Sequence, residues 1–184
     1  MEKLTPVKNT DRQYDQAVEE CKDIFLKKTR DYGTSWRIMR LPSITDQIFI
    51  KAQRIRTIDL KGEKMVNEEM DVEFLGIANY GIMALIQMEL GDKEGTEISY
   101  DEALRLFDKK IKEAYDIMLA KNHDYGEAWR DMRISSLTDL ILMKILRVKQ
   151  IEDNKGQTLA SEGIKANYQD MLNYSVFALI KLTP

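Results

Sequence analysis

The sequence predicts an all-α protein: a tandem duplication of a roughly three-helix unit, packed about a pseudo-twofold axis into one helical bundle. Three observations predict it. A long string of residues recurs 93 positions later, apolar residues return at helical spacing within each copy, and Gly and Pro number only 9 and 3 in 184 residues. Scarce turn formers suit long helices better than many short strands.

The recurrence is extensive. Sliding 23–60 onto 116–153 gives 18 identities in 38 positions, among them Asp-Tyr-Gly at Asp31 and Asp124, Trp36 and Trp129, and Thr-Asp at Thr45 and Thr138. One extra residue near Asn154 raises the offset to 94, after which Lys61-Gly62 meets Lys155-Gly156, and Asn79-Tyr80 meets Asn173-Tyr174. The units are assigned to 1–92 and 93–184.

The first helix is predicted from about Arg12 to Arg30, with Tyr14, Ala17, Val18, Cys21, Ile24 and Phe25 at helical spacing. Gly33 stands where a stop is expected. The second begins near Ser43, an acceptable N-cap, and ends at the cation and glycine of Lys61-Gly62. The third runs from about Asn67 to Leu90. The second unit repeats this plan from a helix opening at Ser99. Two copies of one unit pack most simply as two chains of a homodimer would, with a shared core.

Composition narrows the function. Hydrophobic residues at 43% and charged residues at 32% suit a soluble globular chain. A net charge of -3 disfavours duplex nucleic acid as the main partner, and single-stranded nucleic acid likewise. No segment approaches the roughly 20 apolar residues of a membrane span, so no membrane partner is expected and the cytoplasm is the default location. Cys21, the single cysteine, sits in an apolar stripe and reads as a small buried hydrophobe. His123 has Arg30 as its counterpart, which argues against catalysis by this one histidine.

A core explains recurring apolar residues better than recurring charges. Yet Lys28, Asp31, Arg37, Asp46, Lys51, Arg54 and Asn79 recur as Lys121, Asp124, Arg130, Asp139, Lys144, Arg147 and Asn173, and Glu68 recurs as Glu162. Lys51 and Arg54 lie one turn apart on one side of the second helix. Cations on one helix facing acids on another suit a phosphate chain with a divalent metal. The expected phosphate ligands are Lys51, Arg54, Lys144 and Arg147, and the expected metal ligands, for Mg²⁺, are Glu68, Glu162 and Asp170. The competing reading makes the same charges internal ion pairs: Asp46 with Arg54, Asp31 with Arg37, Glu68 with Lys51. Trp36 and Trp129 read first as plugs at the bundle end and second as surfaces for a base.

The string Lys121, Asp124-Tyr125-Gly126, Trp129, Asp139, Lys144, Arg147, Glu162, Asp170 and Asn173-Tyr174 resembles the helical family called nucleotide modification associated domain 1, once per copy. The first copy departs from it at Gly76, where the acid would be. The resemblance implies an association with nucleotide or base modification in phages and bacteria. The layout is also distantly similar to the all-α nucleoside triphosphate pyrophosphohydrolases. Glu68-x-x-Asp71 fits half of their acidic signature, but Glu162-x-x-Lys165 and both second helices depart from it.

The expectation is therefore a nucleotide-binding protein, with a nucleotide or other phosphate-bearing small molecule as partner, Mg²⁺ as cofactor, and the second copy holding the more complete site. Whether it is an enzyme, and whether it forms a homo-oligomer, stays open. The rival is a non-catalytic helical interaction or scaffold module.

Overall fold

The computed structural model describes residues 9–62, 69–91, 97–160 and 162–184. Six α-helices and two short 3₁₀ turns account for its regular structure, with no strand among the described residues.

Helix α1 (Thr10–Tyr32) opens at Asn9, whose side chain accepts from the Arg12 N–H, and stops at Gly33, where φ is 67°. Its buried Tyr14, Ala17, Val18, Cys21 and Phe25 follow the apolar period read from the sequence. A 3₁₀ turn (Ser35–Ile38) carries Trp36 into α2 (Leu41–Lys61). That helix begins two residues before Ser43: Arg40 is the N-cap and Pro42 fills the first turn, where a missing N–H costs nothing. Gly62 closes it in the left-handed conformation. Helix α3 (Met70–Leu90) is apolar around most of its circumference. Helix α4 (Tyr100–Tyr125) is capped by the Ser99 side chain, and a second 3₁₀ turn (Ala128–Asp131) leads into α5 (Ile134–Asp153) and then α6 (Ile164–Leu182). Helix α5 ends at Asp153, two residues short of the Lys155-Gly156 stop.

The interior is one continuous apolar cluster drawn from both repeats. Helices α3 and α6 form its central pair, with α2 and α5 packed together beside them. Helices α1 and α4 each touch both members of the central pair. Gly81 faces α6 at this contact, where a Cβ would stand at ordinary packing distance, 3.8 Å from Leu172 and 3.9 Å from the Tyr168 carbonyl.

The pseudo-twofold relation is visible in matched contacts. Lys149 pairs with Asp46 at 3.1 Å, and its mate Arg56 pairs with Asp139 at 3.8 Å, both across the α2–α5 seam. Asn79 donates to the Cys21 carbonyl at 3.1 Å, and Asn173 donates to the Ala114 carbonyl at 3.0 Å. Gln87 and Lys181 likewise donate to the carbonyls of Arg37 and Arg130. No helix among the described residues is long and apolar enough to cross a membrane.

Candidate functional site

In the second repeat the recurring cations meet an acid. Asp170 on α6 is 5% exposed and accepts from Lys144 of α5 at 2.7 Å through one oxygen. Its other oxygen accepts from Lys121, at the end of α4, at 2.6 Å. Burial works to lower the Lys121 pKa, but the hydrogen bond and charge of Asp170 outweigh it, with smaller help from Tyr174 and Glu162, and the ammonium is held charged above its ordinary range. The result is a carboxylate shared between two ammonium groups, on the floor of the second repeat.

In the first repeat the acid stands one turn earlier. Gly76 takes the place of Asp170, and Glu73 takes the place of Asn167. Glu73 is 3% exposed; it accepts from Arg54, and Lys51 lies 3.5 Å from its second oxygen. The side chain of Lys51 lies across Gly76: a Cβ there would fall 2.7 Å from the Lys51 Cε and 3.1 Å from its Nζ. Lys28, the mate of Lys121, has no ion-pair partner among the described residues.

A cleft of about 790 Å³ lies between the end of α1, the first 3₁₀ turn and α3. Lys28 and Lys51 line it together with Tyr32, Trp36, Tyr80 and Met83. Met83 corresponds to Phe177, which in the second repeat stacks on Trp129 with ring centroids 4.3 Å apart. Trp36 is buried too, with Phe25 at 6.2 Å between ring centroids, and Met83 gives its cleft a flexible thioether where the second repeat has a stacked ring. Both indole N–H groups are buried without a hydrogen-bond partner among the described residues, as is the Oδ1 of Asn79 at the same cleft.

The remaining expected site residues fall in several places. Arg147, Lys144 and Glu162 line a separate open groove of about 860 Å³ between α5 and the start of α6, with Asp170 joined to it only through Lys144. Glu68 lies outside the described residues. Asp170 faces two lysines, and no group of three acid, His or Cys side chains suited to a metal occurs among the described residues. The Asp170 carboxylate is thus already matched by Lys121 and Lys144.

The pairings expected from sequence are redrawn. Asp46 and Asp139 pair across the seam with Lys149 and Arg56, so Asp46 does not serve Arg54. Arg37 is buried against Gln87 and leaves Asp31 exposed. Arg130 binds Glu127 at 3.0 Å and lies over the Trp129 ring, while Asp124 is exposed beside His123. Asn173 is buried and satisfied on both sides of its amide, by Ala114 and by Tyr14. Glu73 had escaped the sequence reading altogether. The signal for it was the paired exchange of Glu73 and Gly76 against Asn167 and Asp170, one turn apart on the same face.

A family model described as nucleotide modification associated domain 1 matches residues 28–88 and again 121–182. No curated protein and no solved structure matches the chain.

Proposed function

The chain belongs to the nucleotide modification associated domain 1 family, which it carries twice, and from that premise we propose that it binds a nucleotide in the cleft of its first repeat. One observation carries this reading. Lys28 and Lys51 project into a cleft whose other walls are apolar and aromatic, Trp36 and Tyr80 among them. Ligand sites of this size are commonly apolar with a few placed polar groups. The two ammonium groups suit phosphate oxygens, and the aromatic walls suit a base. Any Mg²⁺ would arrive with the phosphates, held mainly by them and by water.

A thermal-shift and titration screen of nucleotides, with and without Mg²⁺, tests it. A ligand at 100 times its Kd should add about 2.7 kcal/mol to stability. Lys28→Ala and Lys51→Ala should each weaken binding about tenfold or more. No shift with any nucleotide, or a shift indifferent to both substitutions, would sink the reading.

The second reading, a helical interaction module, is favoured by the charges that the fold consumes internally, such as the two pairs across the α2–α5 seam. It predicts that no nucleotide shifts the melting temperature.

A further inference from the structure

The two repeats treat the same pair of lysines in opposite ways. In the second, Asp170 places one carboxylate between Lys121 and Lys144, with contacts of 2.6 and 2.7 Å. In the first, Lys28 and Lys51 stand at the matching positions, and Gly76 supplies no side chain to go between them. We propose that the first repeat binds one phosphate monoester over Gly76, between Lys28 and Lys51, in the place that the second repeat fills with its own Asp170 carboxylate, so that the ligand is a nucleoside monophosphate and each chain takes up one. This rests on the nucleotide reading above and narrows it to a charge state.

The charge count supports a monophosphate. Glu73 accepts from Arg54 and also lies 3.5 Å from Lys51, so it neutralises Lys51 only in part. Lys28 and Lys51 are the ammonium groups that line the cleft, and a phosphate monoester carries about −1.5 to −2 charges near pH 7. A triphosphate would bring further negative charge, and among the described residues no cation besides Lys28 and Lys51 lines the cleft. Lys51 now lies over Gly76, its Cε 2.7 Å from where a Cβ would begin, so the flexible end of this side chain swings aside to receive an oxyanion there. The anion has low-dielectric surroundings on its other sides, from Leu75, Met83 and Trp36, and such surroundings strengthen a charge-assisted hydrogen bond.

The same geometry explains why one site is expected per chain. Asp170 neutralises both lysines of the second repeat from within, and Phe177 stacks on Trp129 where the first repeat has Met83.

Calorimetric titration of the whole chain tests the proposal with AMP, GMP, CMP and dTMP, their di- and triphosphates, and the free nucleosides. The expected result is one monophosphate per chain, at least tenfold tighter than its nucleoside, with di- and triphosphates of the same base no tighter. Gly76→Asp should abolish binding while the melting temperature holds or rises, because it installs the second repeat's own residue and removes a mid-helix glycine. Gly76→Asn adds nearly the same bulk without the charge, and it should retain at least ten times the affinity of Gly76→Asp. A triphosphate bound more than tenfold tighter than the monophosphate, two sites per chain, or equal losses in the two variants would overturn the proposal and leave nucleotide binding standing. Failure of every nucleotide to bind would remove both.

Discussion

Tyr14 on α1 donates its hydroxyl to the Oδ1 of Asn173 on α6 at 2.7 Å, a buried bond that ties the first repeat to the second. Ninety-three positions on stands Phe107, which has no hydroxyl, and the matching Asn79 Oδ1 is left without a partner among the described residues. Tyr14→Phe should therefore orphan Asn173 as well. A loss of about 1–3 kcal/mol is expected by urea denaturation. An unchanged midpoint would mean that the bond contributes nothing net.

Asp170 should be the most costly of the recurring charges to neutralise. Asp170→Asn leaves the buried ammonium of Lys144 without its carboxylate, and removing one partner of a buried pair costs about 3–5 kcal/mol. A drop of that order in thermal denaturation is expected. The exposed Asp139→Asn, which faces Arg56 at 3.8 Å, should cost under about 1 kcal/mol in the same assay.

Cys21 is 1% exposed, and burial pushes its thiol up to about 12. The thiolate is the reactive form, so a maleimide should label the native chain far more slowly than the urea-unfolded chain. Equal rates would contradict the packing of α1.

Glu89 gives the fold an acid-sensitive contact. Hydrogen bonds from Lys109 and then Lys110 hold its carboxyl at about 2, below the ordinary 4.5, although partial burial opposes them. A depressed carboxylate stabilises the fold above its unfolded pKa and loses that contribution as pH falls through the folded value. The contribution should thus be complete at neutral pH and fade from about pH 4.5 toward pH 2. Because Glu89 is exposed, screening keeps the effect below about 1 kcal/mol. Glu89→Gln should show a flatter fall in urea midpoint between pH 5 and pH 3 than the parent chain, in assays at about 0.1 M salt.

The helices were legible because their apolar period is strong: the stripe from Tyr14 to Phe25 lies on the core side of α1 as its spacing required. The opening of α2 was missed because its cap is a backbone feature. Arg40 caps without a side-chain bond, and Pro42 is read more readily as a breaker than as a first-turn residue. The faces of Lys51 and Lys144 on their helices were likewise readable from spacing. Their partners were not, because Glu73 and Asp170 lie on other helices and differ by a turn between repeats. The reach of Lys121 to Asp170, 49 positions on, depends on how α4 crosses α6, which no local pattern encodes. Pairing Asp46 within its own helix failed for the same reason, since the cation it meets belongs to the other repeat.

The glycine at 76 and the aspartate at 170 could not coexist in an ordinary symmetric dimer. Two identical chains bear every substitution twice, so a change that empties one lysine pair of its carboxylate empties both, and the whole assembly absorbs the cost of two unpaired buried ammonium groups. Joining the two units in one chain removes that coupling. One half is then free to set its carboxylate between both lysines, at Asp170, while the other carries its acid one turn earlier, at Glu73, and leaves Lys28 out of the pairing.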